Sequence, residues 1–279
     1  MSQAAKAGQL LSLHNNGKLL ILPNVWNPIG ARMLQAKGYP AVATASAAIA
    51  ESLGYSDGEQ LKLDTMLDMV ARIVRSVDLP VTADFEAGYS DSIENLQENI
   101  SRLLDTGAVG INFEDSWDDS SRLRPISEQV ERIKAVREAA DRKGIHLVIN
   151  ARTDSFFAEG FASEEERVED VVTRLNAYAQ AGADCVYPIG CGDKETLKIL
   201  RKKISAPINV LATAKTASLK ELQDLDINRV SFGPYLFRSL LAKLSEMQDE
   251  ILNMGGYDIV MNGILSGSDM KKYLLEDRE

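Results

Sequence analysis

The chain has 279 residues, of which 45% are hydrophobic and 26% charged, a composition that excludes a disordered or collagen-like protein and provides for one sizeable core. The 41 acidic residues outnumber the 31 basic ones, and the net charge of −10 argues against nucleic acid or an anionic membrane as a partner, which leaves a small molecule. Two cysteines are too few for a disulfide framework, and no apolar stretch has the length of a signal peptide or a membrane span, so we expect a cytoplasmic protein.

Short apolar or β-branched runs recur along the chain, each followed by a turn and then by an amphipathic stretch. They predict eight strands, at residues 19–22, 41–45, 81–85, 110–113, 146–150, 185–189, 208–211 and 229–232. Helices are predicted at 61–76, 93–106, 127–143 and 164–181, with Ser127 and Ser163 as N-caps and with Gly107, Gly144 and Gly182 after the helix ends. From residue 235 onward the pattern is helical again.

This alternation of strands and helices predicts an α/β fold with a parallel sheet. Eight strands of near-continuous apolar character favour a closed (β/α)8 TIM-type barrel, with an open doubly wound sheet as the alternative. Since no Gly-, Ser- or Pro-rich linker divides the chain, we expect a single domain over residues 1–279, with the barrel at about 18–245 and a C-terminal helical tail at about 246–279. The tail is longer than barrel closure needs, and packing against a partner subunit would explain the excess.

The active sites of such barrels form at the carboxyl ends of the strands. Asp84 and Glu86 are two residues apart at one strand end, so both side chains point to the same side, and Glu114 ends the next strand. Three carboxylates so placed repel one another unless a cation neutralises them. Because no His or Cys is placed to ligate, we predict a site for Mg²⁺, with Mn²⁺ as a substitute, at Asp84, Glu86 and Glu114. The alternative is that these acids are helix caps or ion-pair partners of Arg152.

Arg152 follows the fifth apolar run, and a guanidinium at a buried strand end is expected to meet an anion. Its planar fork suits a substrate carboxylate, whereas an ion pair with Asp154 or Glu114 is the alternative. Lys215 follows the seventh strand, where many barrels bind phosphate, although a solvated loop lysine is the simpler interpretation. Cys191 is expected to be a small buried side chain.

Five segments carry a resemblance to a known family: A-T-A-S-A-A-I-A-E-S-L-G-Y-S-D-G at 43–58, A-D-F-E-A-G-Y at 83–89, I-N-F-E-D at 111–115, N-A-R-T-D at 150–154 and A-G-A-D at 181–184. From about residue 22 to 234 the chain resembles the isocitrate lyase/phosphoenolpyruvate mutase superfamily, as a phosphoenolpyruvate mutase-like member. The resemblance implies a barrel that binds Mg²⁺ and a small α-oxyacid, in homodimers or homotetramers whose last helix is exchanged between subunits.

The same motifs imply roles for individual residues. Asp84, Glu86 and Glu114 would form the metal shell, and Asp57 would lie near the reacting groups. Backbone N–H groups around Thr44, Ala45 and Ser46 would bind a substrate carboxylate, and Arg152 and Asn209 would contact substrate. The expected catalytic residues are Asp57, Glu114 and Arg152.

The chain departs from the lyases of this superfamily in two places. The lyases carry a K-R-C-G-H motif in a gating loop, whereas the corresponding loop here, 116–124, is shorter and has no Cys or Lys. Ile189 stands where the methylisocitrate lyases have a Glu. We therefore do not expect a faithful isocitrate or methylisocitrate lyase.

The expected function is that of a Mg²⁺-dependent enzyme that acts on a small α-keto or α-hydroxy carboxylate through an enolate, cleaving a C–C bond of an oxaloacetate-type substrate. One alternative is P–C bond chemistry on phosphoenolpyruvate or a phosphonate, with phosphoryl contacts from Arg122, Arg124 or Lys215. Another is a barrel that binds a carboxylate without turning it over.

Overall fold

The computed structural model of the protein describes residues 1–117 and 121–274. Within them lie the strands β1 (Leu20–Leu22), β2 (Asn24–Val25), β3 (Val42–Thr44), β4 (Val81–Asp84), β5 (Gly110–Glu114), β6 (Val148–Thr153), β7 (Cys185–Pro188), β8 (Asn209–Leu211) and β9 (Arg229–Ser231). Every pairing between them is parallel, in the orders β1-β9-β8 and β2-β3-β4-β5-β6-β7.

The two sheets join into a closed barrel. Only Pro23 separates β1 from β2, so these two strands occupy one position of the barrel, and proline cannot donate the ladder hydrogen bond that would make them continuous. At the other junction, Val186 of β7 pairs in parallel with Ile208, next to β8. The predicted (β/α)8 barrel is confirmed, the open sheet is excluded, and each of the eight predicted strand positions contains an observed strand.

The helices follow the strands around the outside. They are α1 (Gln3–His14), α2 (Pro28–Ala36), α3 (Ser46–Ser52), α4 (Leu63–Ser76), α5 (Ile93–Asp105), α6 (Ile126–Arg142), α7 (Glu164–Gln180), α8 (Lys194–Lys203), α9 (Leu219–Asp224), α10 (Tyr235–Leu252), α11 (Asp258–Met261) and α12 (Gly267–Lys271). The predicted cap at Ser163 is confirmed, since its side chain accepts the N–H of Glu166. The predicted cap at Ser127 is wrong: α6 begins earlier, after Pro125, whose ring already fixes φ near the helical value.

The predicted helix ends carry the expected glycines. Each has a positive φ, which L-residues with a side chain adopt only with strain. The values are 91° at Gly107, 68° at Gly144 and 113° at Gly182.

Apolar side chains fill two parts of the core. One lies between the strands and the surrounding helices, and the other closes the barrel at the amino ends of the strands. Side chains such as Ile100, Phe113 and Ile149 are fully buried between the strands and the surrounding helices. At the amino ends of the strands, α1 packs Leu10 against Leu20 and neighbouring residues. Burying each such side chain contributes roughly 1.5–3 kcal/mol, so this packing stabilises the barrel and closes its base. The cavities described below therefore open at the carboxyl ends of the strands.

The C-terminal region is one long helix followed by two short ones. The long helix α10 runs without a break past residue 245, near the predicted end of the barrel. Phe237 is its only buried residue, and it exposes an apolar surface made of Leu236, Leu240, Leu241, Leu244, Ile251 and Leu252. None of the helices described is both long and apolar enough to cross a membrane.

Candidate active site

Two adjoining cavities open at the carboxyl ends of the strands. The outer cavity, of about 620 Å³, is lined by residues that include Asp57, Glu59, Glu86, Glu114, Trp117 and Arg124. The inner cavity, of about 210 Å³, is lined by residues that include Asn24, Thr44, Asp84, Tyr187, Arg229 and Ser231. Both are also lined by Ser46, Asp57 and Arg152, so they form one site with a wide mouth and a narrow interior.

Asp84 ends β4 and is held by hydrogen bonds on both carboxylate oxygens. Oδ2 accepts the Ser46 N–H at 2.9 Å and the Ser46 hydroxyl at 2.7 Å. Oδ1 accepts the side-chain amide of Asn112 at 3.1 Å, and the Oδ1 of Asn112 in turn accepts from Asn150. This chain of contacts across β4, β5 and β6 fixes the carboxylate in one orientation facing the inner cavity.

Glu86 lies in a tight turn just after β4 and is almost fully buried. Its carboxylate accepts the Tyr89 hydroxyl at 2.9 Å and the Glu59 N–H at 2.6 Å. Burial, together with the charges of Asp57 and Asp84, raises the pKa of Glu86 to about 8. Three non-glycine residues here have positive φ, namely Glu59 (59°), Glu86 (49°) and Tyr89 (58°). Such backbone strain is concentrated at functional sites in proteins.

Glu114, Arg152 and Asp154 form an ion-paired cluster at the ends of β5 and β6. Arg152 Nη1 lies 2.6 Å from Glu114, while its Nε and Nη2 donate to the two oxygens of Asp154 at 2.6 and 3.0 Å. Burial raises the pKa of Glu114, against the opposing effect of Arg152. The alternative predicted for Arg152, an ion pair with Asp154 or Glu114, is therefore observed with both acids. Arg152 also lines both cavities.

Asp57 lies at the rim where the two cavities meet. Partial burial and the charge of Asp84 raise the pKa of Asp57. A carboxyl group with a raised pKa at the entrance holds its proton more tightly than an ordinary aspartate does, which suits a group that donates a proton.

The acidic residues fit a hydrated divalent cation better than a compact chelate. Within 1–117 and 121–274, no three Asp, Glu, His or Cys side chains are close enough together to hold one ion directly. Asp84, Glu86 and Glu114 therefore do not form a shell of three direct ligands. Mg²⁺ usually takes one or two carboxylates and keeps several waters, and the oxygen-only donors here suit that mode. Burial first, and neighbouring carboxylates after it, raise the pKa values of Glu86 and Glu114, and a cation would stabilise both groups in their charged form.

The predicted substrate-binding residues do not all line the site. Thr44 lines the inner cavity, and its hydroxyl accepts the Asp84 N–H at 2.9 Å. Ala45 is buried, and its N–H bonds to Val25 at 3.1 Å. The Ser46 N–H, predicted to bind a substrate carboxylate, is donated to Asp84. Asn209 is fully buried against Ser231 and is not part of the wall of either cavity, so the structure does not bring it to the site.

Of the three residues considered for phosphoryl contacts, only one lines a cavity of the site. Arg124 lines the outer cavity, but it is paired with Asp91 at 2.6 Å and Glu128 at 2.7 Å and stacks on Trp117. Arg122 and Lys215 are exposed and line neither cavity. Of the loop 116–124, residues 118–120 lie outside the described residues.

Sequence reasoning missed the role of Asp115 and Arg229. Asp115 is fully buried and accepts the Tyr178 hydroxyl at 2.6 Å and the Asp154 N–H at 3.0 Å, so it anchors the strand ends to α7. Arg229 is the first residue of β9 and lines the inner cavity. An arginine at the start of an apolar strand was the available signal, because a buried guanidinium needs an anion.

Comparison with known families decides the assignment. A model of the phosphoenolpyruvate phosphomutase family matches residues 10–252. The chain belongs to this family. The resemblance to the isocitrate lyase/phosphoenolpyruvate mutase superfamily is thereby confirmed, and with it membership in a group of metal-dependent lyases and mutases.

Two curated relatives span most of the chain. The 2-methylisocitrate lyase of Aeropyrum pernix is 25% identical over 245 residues, which are 85% of this chain and 77% of that protein. The oxaloacetate decarboxylase of Pseudomonas putida (strain GB-1) is 28% identical over 213 residues, 74% of this chain and 70% of that protein.

Solved structures share the fold. A candidate phosphonomutase from Burkholderia cenocepacia J2315 is 36% identical with a TM-score of 0.84, covering 91% of this chain and all of that one (100%). A phosphonopyruvate hydrolase solved with oxalate and Mg²⁺ is 22% identical with a TM-score of 0.84, covering 98% of this chain and 95% of that one, a likeness of fold alone.

Proposed function

We propose that this protein is a Mg²⁺-dependent enzyme acting on a small α-keto dicarboxylate of the oxaloacetate type. It cleaves the C–C bond between the carbon next to the carbonyl and the distal carboxylate, by way of an enolate. The observation that carries the proposal is that Arg152 lines both cavities of the site, with Asp84 in the wall of the inner cavity and Glu86 and Glu114 in the wall of the outer one. The curated oxaloacetate decarboxylase relative supports this substrate class.

The residues of the site would have different roles in binding the metal and the substrate. Asp84, held rigid by Ser46 and Asn112, would be the main metal ligand, with Glu86 and Glu114 holding metal-bound water. When bound, Mg²⁺ would polarise the carbonyl and stabilise the negative charge of the enolate. Arg152 would orient a substrate carboxylate from the boundary between the two cavities.

Decarboxylation would need little further machinery from the protein. The C–C bond to the leaving carboxylate breaks, its electron pair forms the enolate, and CO₂ departs. A proton from water or from Asp57 at the rim then adds to the carbon to give the α-keto acid. The wide outer cavity gives water access to this step.

Methylisocitrate cleavage requires a catalytic group that decarboxylation does not. It requires an acid placed on one face of the departing carbon, and the loop 116–124 contains no Cys, Lys or His to provide one. Ile189, in the wall of the inner cavity, is apolar where the methylisocitrate lyases have a Glu. We therefore propose oxaloacetate-type substrates over methylisocitrate.

The test is turnover of oxaloacetate and methylisocitrate by one preparation with Mg²⁺. We expect oxaloacetate decarboxylation above the background of free Mg²⁺, reduced in Asp57→Ala and Glu114→Ala, and negligible methylisocitrate cleavage. Efficient methylisocitrate cleavage would mean that another residue replaces the loop Cys, and the substrate proposal would be abandoned.

A second candidate function is P–C bond chemistry on phosphoenolpyruvate or a phosphonate. It is favoured by the 36% identity with the candidate phosphonomutase. Against it, Arg124 would have to leave Asp91 and Glu128 to meet a phosphoryl group. Adding phosphoenolpyruvate to the same assay separates the two chemistries, and binding without turnover of any substrate would favour a carboxylate-binding barrel.

We also propose that the protein forms a homodimer or homotetramer. The support is the row of exposed leucines along α10, which leaves a large apolar surface in water. Exchange of the last helices between subunits is one way in which such a surface would be covered.

A further inference from the structure

A separate cavity lies at the base of the barrel, at the amino ends of the strands and therefore opposite the active site. It has a volume of about 580 Å³ and is lined by residues from the end of α1, the start of β1 and the segment between α2 and β3. Among the described residues, none lines both this cavity and the active site. Its size is in the range of small-molecule sites in proteins, about 300–1,000 Å³.

The cavity lies where the ladder of the barrel is open. β1 is hydrogen-bonded to β9, whereas β2 pairs with β3, with Asn24 opposite Ala43. Extending this register back along both chains places Ile21 opposite Pro40, which has no N–H to donate. In the part of the chain that the structure describes, no strand pairing joins β1 to the segment before β3, and Ile21 and Pro40 line the cavity instead.

The walls of this cavity are mainly aliphatic. The side chains come from α1, from the start of β1 and from the segment before β3, and they are Leu13, Leu19, Leu20, Ile21 and Pro40. Leu20 is buried, whereas the other four are half-buried and still meet water. A ligand with an apolar chain would remove them from water, which is the main favourable contribution to binding of this kind.

Two exposed lysines, Lys18 and Lys37, border the same cavity. Neither forms an ion pair with a carboxylate of the described residues, whereas other exposed lysines such as Lys194 and Lys220 do. The described residues that line the cavity include no Asp or Glu. In a chain with a net charge of −10, two unpaired cations beside an aliphatic cavity make this region locally attractive to an anion.

We propose that the cavity at the base of the barrel binds an aliphatic carboxylate, with its chain against the leucines and Ile21 and its carboxylate near Lys18 and Lys37. Both features point to this ligand, because an uncharged chain would leave the lysines unpaired and a small anion would leave the walls in water. Lysine suits the role, since its ammonium is a point charge on a flexible stem that can follow a carboxylate at the protein surface. The inference does not depend on the reaction at the other end of the barrel.

The experiment measures binding of octanoate to the full chain by calorimetry, with octylamine as a probe of equal chain length and opposite charge. We expect one octanoate per chain and at least about fivefold weaker binding of the amine. Lys18→Gln combined with Lys37→Gln should weaken octanoate binding roughly five- to tenfold at low salt, since each exposed ion pair contributes little alone. The matched control, Lys62→Gln with Lys215→Gln, removes two exposed lysines that line none of the three cavities and should bind octanoate as the wild type does.

Filling the cavity tests where the chain of the ligand lies. Ile21→Trp should abolish octanoate binding, because the ring occupies the space of the chain, and its Tm should stay close to that of the wild type. Leu19→Trp is a second variant of the same kind, should Ile21→Trp fail to fold.

Four results overturn the proposal. They are no octanoate binding to the wild type, equal binding of octanoate and octylamine, wild-type octanoate affinity in the double lysine variant or in a folded tryptophan variant, and competition between octanoate and oxalate in the presence of Mg²⁺, which would place the ligand in the active site. Octanoate binding requires neither Mg²⁺ nor turnover, so a failure of the oxaloacetate assay would leave this result standing.

Discussion

Arg152 holds two buried acids with one side chain. It reaches Glu114 with Nη1 and both oxygens of Asp154 with Nε and Nη2. In Arg152→Lys, an ammonium cannot present that planar fork, so we expect a loss of stability on the order of 1–3 kcal/mol. Because the residue also borders both cavities, the affinity for pyruvate, the α-keto acid that oxaloacetate decarboxylation yields, should fall at least about tenfold, equivalent to about 1.4 kcal/mol.

The matched control for this change is Arg137→Lys. Arg137 also makes several bonds, to Leu147, Gly182 and Asp184, but it lies away from the site. Denaturant unfolding and calorimetry on both variants should show lost stability in each and lost pyruvate affinity in Arg152→Lys alone. If Arg152→Lys binds pyruvate as the wild type does, Arg152 has a structural role only.

Glu86 makes the stability of the metal-free protein depend on pH. Its pKa is about 8 in the folded chain against 4.5 for an ordinary Glu, so the folded state binds the proton more tightly. The stabilisation is complete below about pH 4.5 and is lost as the pH rises through about 8. In EDTA, the free energy of unfolding should therefore fall between pH 5 and 8, by at most roughly 1.4 kcal/mol per pH unit from this group.

Denaturant titrations at several pH values test this. Glu86→Gln should flatten the slope, whereas Glu131→Gln, at an exposed helix position, should not. An unchanged slope in Glu86→Gln would assign the pH dependence to other groups.

At the residue scale, sequence reasoning finds acids but not their partners. Asp84 and Glu114 are predictable because they end apolar runs, whereas Glu86 lies in a turn beyond β4 with a φ of 49°, where the strand period of two no longer applies. The surroundings of Arg229 are not predictable, since the groups around it come from other strands. The donation of the Ser46 N–H to Asp84 depends on the same long-range geometry.

At the scale of elements, the turn at residues 86–89 positions Glu86 and depends on a glycine. Gly88 has a φ of 93°, and a Cβ there would lie 2.5 Å from Leu96 Cδ1 and 3.1 Å from Phe113 Cε2. Gly88→Ala should combine backbone strain with overpacking and cost on the order of 2–4 kcal/mol. It should also weaken Mg²⁺ binding, because the turn carries Glu86.

Gly144→Ala is the control, since Gly144 also has a positive φ, 68°, but open space around the added carbon. It should cost about 1 kcal/mol and leave Mg²⁺ affinity unchanged. Thermal unfolding with and without Mg²⁺ measures both effects. Equal losses in the two variants would mean that packing around Gly88 does not position the site.

The elements themselves follow the sequence pattern closely, and the exceptions have local causes. The break between β1 and β2 comes from Pro23, and the early start of α6 comes from Pro125. The strained turns around Glu59 and Glu86 could not be predicted, because non-glycine residues with positive φ have no sequence signature.

At the scale of the whole molecule, the apolar surface of α10 predicts self-association. Leu240 is 59% exposed and Leu244 is 48% exposed. Replacing both with Asp should convert the oligomer to a monomer, because charges cannot be buried at an apolar interface without a partner. Leu219→Asp, at a leucine that is 45% exposed but outside this surface, should leave the assembly intact. Light scattering after size exclusion gives the mass, and a wild-type protein that is already monomeric would contradict the prediction.

The central claim is that the acids at the strand ends hold Mg²⁺ in a site built for an enolate. Oxalate is a planar dianion with oxygens on adjacent carbons, like the enolate of pyruvate, and it cannot be turned over. Calorimetric titration with oxalate, with Mg²⁺ and then in EDTA, is the most direct measurement. We expect binding that requires Mg²⁺ and that is lost in Asp84→Ala but kept in Asp68→Ala, which replaces an exposed aspartate on α4. Oxalate binding of equal strength in EDTA, or in Asp84→Ala, would contradict it.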